Sequence, residues 1–144
     1  MKDAIEEYSK RLSKYCNLNI LEVPDEKLPD KLSEAVAILV KDKEGKAMIS
    51  KLPKDTYLIC LDLRGKELSS EEFSKKIEEI SLNYNSSITF VIGGSLGISQ
   101  ELLDLSKERI CFSKMTFPHQ LIRVFLLEQI FRAFKIQKNE TYHR

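Results

Sequence analysis

Cysteine and histidine, the residues that build disulfide frameworks and most zinc sites, are scarce in this sequence of 144 residues. The three cysteines stand at positions 16, 60 and 111, and no two of them form a Cys-x-x-Cys pair. Their odd number and wide spacing indicate neither a disulfide framework nor a zinc site. Cys60 and Cys111 lie in apolar runs, where we expect small buried hydrophobic side chains, and we expect no bound metal.

Long hydrophobic runs are also missing. No run approaches the roughly 18 apolar residues that a membrane-spanning helix needs, and the first residues show no charged-then-apolar leader. We therefore expect a cytoplasmic protein without a membrane segment. With 42% hydrophobic and 31% charged residues, the composition is that of an ordinary globular protein, and the length suits a single domain over residues 1–144.

The formal net charge of +1 conceals an uneven distribution. Residues 1–105 carry 15 basic and 19 acidic side chains, whereas residues 106–144 carry eight basic and three acidic ones. A basic C-terminal part fits contact with nucleic-acid phosphates, which supply most non-specific affinity. A solvated helix face followed by a basic tail explains the same charges, and charge alone does not separate the two.

Glycine is rare as well, yet three of the five glycines fall between positions 93 and 97. They follow the apolar run Ile88–Ile92, which predicts a buried strand ending in a sharp turn. Without a Cβ atom, Gly93, Gly94 and Gly97 let the backbone adopt positive φ and approach a ligand closely. The pattern is neither a P-loop nor the dinucleotide fingerprint. Taken alone, it is also explained by a tight strand-to-helix turn.

A second loop, Phe112–Phe117, follows the next short apolar segment and is closed by Pro118. Loops at the ends of neighbouring strands are where open α/β sheets bind ligands. Backbone donors and acceptors with apolar walls suit a flat purine-bearing ligand. The predicted walls are Leu61, Ile92, Leu96, Met115 and Phe117.

Hydrophobic periodicity predicts helices that alternate with strands. We expect helices at 2–15, within 29–52 (one long or two short), at 69–83, at 99–105 and from Pro118 onward. Strands are expected at 18–23, 56–61, 88–92 and 109–112, with a polar turn at 62–66. Ser69 and Glu72 form a capping box at the start of one helix. This alternation predicts an α/β fold with a mainly parallel sheet and helices on both faces.

The last predicted helix is apolar around most of its circumference, and only Glu128, Arg132 and Lys135 form a clean polar stripe. A helix of this kind must be covered from two directions. The sheet of its own domain can cover one side. We expect a second copy of the chain to cover the other, giving a homodimer through the C-terminal helix.

Five motifs together resemble one family. They are V-P-D-E-K at 23–27, L-R-G-K-x-L-S-S at 63–70, the glycine loop, S-K-M-T-F-P-H at 113–119 and the terminal Tyr-His-Arg. The chain resembles the SPOUT-class methyltransferases over nearly its whole length. It is most similar to the bacterial family that methylates ring nitrogen 3 of a pseudouridine in 23S rRNA of the large ribosomal subunit.

The resemblance implies a C-terminal trefoil knot, an exception to the rule that chains do not thread their own loops. It also implies that S-adenosylmethionine lies bent in that knot and that a partner subunit completes the substrate site. The implied cofactor-binding residues are Leu61, Gly93, Phe112, Ser113, Lys114, Met115, Thr116 and Phe117. The glycine loop adds Gly94 and Gly97 to the candidate binding residues.

The resemblance further implies that the terminal Tyr142, His143 and Arg144 lie over the cofactor near the target base. His143 is the candidate base, because a histidine titrates near neutrality and needs only hydrogen-bond reach to the proton. Tyr142 could stack on a base or orient the histidine. Arg144 and Arg123 could stabilise negative charge or hold phosphate, and Lys114 could face the RNA.

One departure from the family pattern stands at the start of the sequence. Family members begin with an additional strand and a Gly-Lys loop before the first helix, whereas Met1 already stands at that helix here. We therefore expect a sheet that lacks the family's first strand, which puts activity in question more than cofactor binding. Two alternatives stay open: a knotted methyltransferase acting on another RNA, and a non-catalytic module that binds an adenosyl ligand or RNA.

Overall fold

The structure, a computed structural model, describes residues 1–141. Five helices and three strands follow one another along these residues. The helices are α1 Lys2–Leu12, α2 Glu34–Ser50, α3 Ser70–Asn83, α4 Gln100–Leu105 and α5 His119–Gln137. The strands are β1 Tyr57–Glu67, β2 Ile88–Ile92 and β3 Glu108–Cys111.

The three strands form one parallel sheet in the order β2-β1-β3. Helices α1, α3 and α5 cover one face, where Ile59 is fully buried. Helices α2 and α4 cover the other face, against Leu58 and Cys60. The predicted α/β architecture with helices on both faces is therefore confirmed.

Serine side chains start three of the helices, as local capping chemistry requires. Ser33, Ser69 and Ser99 each accept a backbone N–H from the first turn of α2, α3 and α4. The capping box at Ser69 is complete, since the Glu72 carboxylate also accepts the Ser69 N–H at 2.8 Å. The predicted start of α3 is confirmed to the residue.

The predicted strand at 18–23 is wrong. This segment pairs with none of the three strands in the described chain, and Ile20 and Leu21 are exposed. Alternating apolar and polar residues show that a segment could form a half-buried strand. The strand forms only if a neighbouring strand offers free backbone N–H and C=O groups to pair with. The segment is instead fixed by polar contacts, among them a 2.6 Å hydrogen bond from the Lys51 ammonium to the Glu22 carbonyl.

The predicted polar turn at 62–66 is also only partly right. Strand β1 continues to Glu67, but its register against β3 shifts: Leu61 and Lys66 both pair with Ile110. Residues 62–65 thus bulge out of the ladder, and the backbone of Gly65 returns close to Arg109. A Cβ atom on Gly65 would lie 2.6 Å from the Arg109 carbonyl carbon.

The one open question about the helices is resolved, because α2 is a single helix that runs through the polar segment D-K-E-G-K at 42–46. In α3 the apolar side chains of Phe73, Ile77 and Ile80 are buried, whereas Tyr84, which follows the last helical residue, is exposed.

Helix α5 buries Leu126, Leu127, Ile130, Phe131 and Ala133 within the single chain. Its predicted polar stripe is half-buried rather than solvated, since Arg132 donates to the Glu128 carboxylate one turn earlier. The outward Phe125 stays 38% exposed.

The expectations for cysteine are confirmed where they concern burial. Cys60 and Cys111 are buried, and all three cysteines are free. No helix among residues 1–141 is long and apolar enough to cross a membrane. The same residues contain no group of three or more His, Cys, Asp or Glu side chains placed to hold a metal.

Candidate functional site at the carboxyl edge of the sheet

The sheet brings the three predicted binding segments to one edge. Leu61 on the central strand pairs with Ile92 on one side and Ile110 on the other. Because all three strands are parallel, the residues after these pairs lie at the same end. The glycine loop therefore begins beside Leu61, and the Phe112 loop follows β3 at the same edge.

The glycine loop is a tight turn closed by its own backbone. Gly97 donates its N–H to the Gly94 carbonyl at 3.0 Å, and the two residues form an isolated bridge. Gly97 has φ +93°, a conformation that other residues adopt only with strain, and the space around its Cα is open. A Cβ atom on Gly93 would lie 2.7 Å from the carbonyl carbon of Gly97, so the first glycine is required by loop closure.

Acidic side chains border this loop, and the sequence gives little sign of them. A Cβ atom on Gly94 would lie 3.5 Å from carboxylate oxygens of both Asp25 and Glu44. Glu44 is 9% exposed although it belongs to the polar DKEGK segment, and it accepts the Glu26 N–H at 3.1 Å. The VPDEK motif is the one sequence signal that places Asp25 near a site.

Helix α2 reaches the glycine loop through close packing on α4. A Cβ atom on Gly45 would overlap the Ser99 hydroxyl and lie 2.8 Å from the Ser99 Cβ. Ser99 is 2% exposed and caps α4 directly after the loop. The absence of a side chain at Gly45 thus sets the distance between Glu44 and the loop.

The second loop is organised around Ser113. Its hydroxyl accepts the Met115 N–H at 3.0 Å, and its carbonyl accepts the Cys111 thiol at 3.1 Å. Met115 and Lys114 point outward, with 73% of Met115 and 87% of the Lys114 side chain exposed. Phe117 packs edge-on against Phe125 of α5, with ring centroids 5.7 Å apart.

A cavity of about 350 Å³ lies under this second loop. It is lined by Phe112, Ser113 and Phe117 together with the start of α3 and Phe125 and Gln129 of α5. The cavity is apolar with a few hydroxyl and amide groups, as ligand sites commonly are. Leu61 and the glycine loop do not line it. The structure thus places the two loops at one edge but joins only the second loop to the cavity.

Asp62 is a further acidic residue at this edge, and nothing in the sequence singles it out. It directly follows Leu61, at the level where β2 gives way to Gly93. Its Oδ2 atom is buried and has no hydrogen-bond partner among the described residues. The Arg64 Nε lies 3.6 Å from that oxygen, and the Arg64 side chain is 72% exposed.

The candidate RNA-binding residues fall into different environments. Lys114 is free to meet a ligand apart from a distant Glu67 carboxylate, 3.9 Å from its Nζ. Arg123 on α5 is engaged with the Glu22 carboxylate at 2.6 Å. The hydrogen bond and charge of Arg123 lower the pKa of Glu22 below its ordinary value. Residues 142–144, with the predicted Tyr142, His143 and Arg144, lie outside the described residues.

These features fit an adenosyl ligand. The edge offers an apolar cavity for a ring, open backbone at Gly97, and a buried carboxylate oxygen that can accept a hydrogen bond. The described residues at this edge can bind a ligand and orient it.

Comparison with known proteins gives a consistent result. A family model described as "Predicted SPOUT methyltransferase" matches residues 1–143. A Clostridium perfringens (strain SM101) protein named ribosomal RNA large subunit methyltransferase H 1 is 58% identical. Proteins named ribosomal RNA large subunit methyltransferase H from Clostridium botulinum (strain Eklund 17B) and Clostridium acetobutylicum are 56% and 54% identical. Each match covers all of this chain and 91% of the relative.

Proposed function

The chain belongs to the SPOUT methyltransferase family, and on that premise we propose that it methylates ring nitrogen 3 of a pseudouridine in 23S rRNA. The resemblance inferred from the sequence motifs is confirmed by the family match. The names of the relatives, at 53–58% identity over the whole chain, support large-subunit ribosomal RNA as the substrate. A ribosomal substrate is consistent with the expected cytoplasmic location.

The observation that carries the proposal is the convergence of the Leu61, Gly93 and Phe112 segments at one edge of a parallel sheet. In our proposal these segments bind S-adenosylmethionine, whose sulfonium supplies the methyl group. The contacts come from Leu61, from Gly93, Gly94 and Gly97, and from residues 112–117. The trefoil knot expected for the family belongs to the proposal as well. Holding donor and acceptor in line is the main contribution of the protein to such a transfer.

The acceptor nitrogen must lose its proton, and His143 is the proposed base. Arg144 would stabilise the negative charge that develops on the ring, and Tyr142 would stack on a base. A histidine within hydrogen-bond reach of the ring N–H can take the proton at neutral pH.

The geometry of α5 supports a role for a partner subunit. The helix starts at the candidate edge and has 19 residues, so its far end lies about 28 Å away. There Glu140 accepts hydrogen bonds from Tyr15 and Lys135, which fixes the chain at the end of α1. The four residues that follow Glu140 span about 14 Å at most. The tail of one chain therefore cannot return to the edge of the same chain, and we infer that it serves the site of a second copy in a homodimer.

Two cations are proposed to contact the RNA. Lys114 is exposed on the second loop, and Arg123 lies near the start of α5, close to the carboxyl edge of the sheet. The phosphates of the RNA would compete with Glu22 for the Arg123 guanidinium. A guanidinium binds carboxylate and phosphate in the same bidentate geometry, so Arg123 can exchange one for the other.

The deciding experiment uses isotope-labelled S-adenosylmethionine and ribosomes that lack the modification, followed by nucleoside digestion and mass spectrometry. Label on a pseudouridine at ring nitrogen 3 is the expected result. Label on another nucleoside would favour a knotted methyltransferase with a different RNA substrate. Binding of S-adenosylmethionine without any transfer would favour a non-catalytic module.

Deletion of residues 142–144 tests the role of the tail independently of the role of the cofactor-binding segments. We expect the truncated protein to bind S-adenosylmethionine as the full chain does and to lose methyl transfer. Mixing the truncated chain with a chain carrying Gly93→Ala should restore part of the activity if tails act across a dimer. Full activity of the truncated protein alone would remove the proposed role of His143.

A further inference from the structure

The Asp62 carboxylate is placed at the proposed cofactor edge without the hydrogen bonds that a buried carboxylate normally makes. Its Oδ2 atom is the one buried side-chain oxygen or nitrogen among residues 1–141 that has no hydrogen-bond partner. The Asp62 side chain is 17% exposed. Buried polar groups in folded proteins are hydrogen-bonded with few exceptions, so an exception calls for a physical reason.

The nearby arginine does not account for this oxygen. The Arg64 Nε stands 3.6 Å away, beyond hydrogen-bond distance, and most of the Arg64 side chain is in solvent. Exposed ion pairs of this kind contribute little to stability. The ion pair with Arg64 thus leaves this oxygen without a hydrogen bond from the described residues.

The position of Asp62 suggests which group could donate a hydrogen bond to its buried oxygen. Asp62 follows Leu61 on the central strand, at the level of Gly93, and so lies between the two loops. A carboxylate offers acceptors only, and the partner it lacks must be an N–H or O–H donor. S-adenosylmethionine carries three such groups: the ribose hydroxyls, the α-ammonium and the 6-amino group of adenine.

We propose that Asp62 is a cofactor-binding residue whose buried oxygen accepts a hydrogen bond from a hydroxyl, ammonium or amino group of S-adenosylmethionine. The inference rests on the proposed function, because it takes that cofactor as the ligand of this edge. On this view the free protein holds an unsatisfied acceptor that the cofactor satisfies on binding. Preorganised polar groups of this kind lower stability in exchange for affinity.

The test compares Asp62→Asn with Arg64→Gln. The first change keeps the shape of the side chain and removes its charge, and the second removes the ion pair alone. For each variant and for the wild type, calorimetry measures the dissociation constants of S-adenosylmethionine, S-adenosylhomocysteine and methylthioadenosine. The melting temperature of the ligand-free protein is measured in parallel.

We expect Asp62→Asn to weaken S-adenosylmethionine binding by about tenfold or more, the usual scale for a hydrogen bond to a charged group. The melting temperature of the free variant should stay the same or rise, because a neutral amide is easier to bury than a carboxylate. Arg64→Gln should bind with nearly wild-type affinity.

Methylthioadenosine keeps the ribose and lacks the ammonium. An equal loss for all three ligands assigns the contact to the adenosine part, that is to the hydroxyls or the adenine amino group. A loss confined to the other two ligands assigns it to the ammonium.

Three results would overturn the inference. They are a loss of less than tenfold in Asp62→Asn, the same loss in Arg64→Gln, or a fall in the melting temperature of ligand-free Asp62→Asn. The last two would give Asp62 a structural role in holding Arg64 or the bulge. Failure of the wild type to bind S-adenosylmethionine would instead refute the proposed function itself, so the two failures are distinguishable.

Discussion

The glycine loop gives the sharpest prediction, because two adjacent glycines have opposite surroundings. At Gly93 an added methyl group would lie 2.7 Å from the carbonyl carbon and oxygen of Gly97 and 2.8 Å from the Cγ1 of Ile98. At Gly94 the nearest atoms are carboxylate oxygens at 3.5 Å, an ordinary contact distance. Gly97 is the one glycine with positive φ in the described chain, so backbone strain does not affect either neighbour.

The cost of Gly93→Ala follows from these distances. Two of the close atoms belong to the backbone, so the clash cannot be relieved by a side-chain rotation and the loop itself must move. Overpacking of this kind costs about 1–3 kcal/mol of folding free energy. The movement displaces Gly97, and we expect the affinity for S-adenosylmethionine to fall at least tenfold. Gly94→Ala should change stability by less than about 0.5 kcal/mol, as substitutions without a clash usually do.

Urea unfolding and calorimetric titration with S-adenosylmethionine test the pair. The control is built in, because both variants add one methyl group within the same loop. Wild-type affinity in Gly93→Ala would refute the assignment of the loop to the cofactor. An equal loss of folding stability in the two variants would show that the loop is sensitive to any added volume, contrary to the reasoning from the distances.

Three further predictions concern other contacts. Gly45→Ala should cost about 1–3 kcal/mol in urea unfolding, because its methyl group would overlap the Ser99 hydroxyl. Adding Ser99→Gly should recover most of that loss, and no recovery would contradict the packing argument. The depressed pKa of Glu22 means that the folded protein binds its proton less readily than the unfolded chain. The stabilisation that the Glu22 carboxylate gives the folded protein is present above the pKa of an ordinary glutamate and is lost as the pH falls through the pKa of folded Glu22. Glu22→Gln should therefore make the urea midpoint less sensitive to acid. An unchanged pH dependence would contradict the ion pair. Finally, Lys114→Gln should reduce the slope of log affinity for RNA against log salt by about 1, the loss of one phosphate contact. Lys54→Gln, at the opposite edge of the sheet, should leave the slope unchanged, and equal effects would indicate non-specific attraction.

Elements with local signals are predicted well from the sequence. The capping box at Ser69 and the strand Ile88–Ile92 are confirmed because their causes lie within a few residues. The strand expected at 18–23 is wrong because pairing with a neighbour is a property of the whole sheet. The bulge at 62–65 is also non-local, since it depends on the approach of Gly65 to β3.

The residues of the candidate site also differ in how well the sequence predicts them. Glycine spacing predicts the loop at Gly93, because glycine marks backbone geometry directly in the sequence. The burial of Glu44 and Asp62 is not predicted, since each stands in a polar segment that is typical of a solvated surface. Glu44 is buried by the packing of α2 on α4, and Asp62 is buried by the bulge after Leu61.

Three unusual local features lie at the carboxyl end of the sheet, and one of them supports the proposed placement of the site. The positive φ at Gly97, the required glycine at Gly93 and the unsatisfied oxygen of Asp62 all lie at the carboxyl edge. At the amino edge the polar groups are satisfied, with Tyr57 and Lys76 both bonded to the Glu108 carboxylate. Folding alone would favour satisfied groups at both edges. Positive φ does not distinguish this edge, because Asp55 before β1 and Asn139 after α5 also have it. The unpaired oxygen of Asp62 is therefore the observation that supports the proposed ligand site at the carboxyl edge.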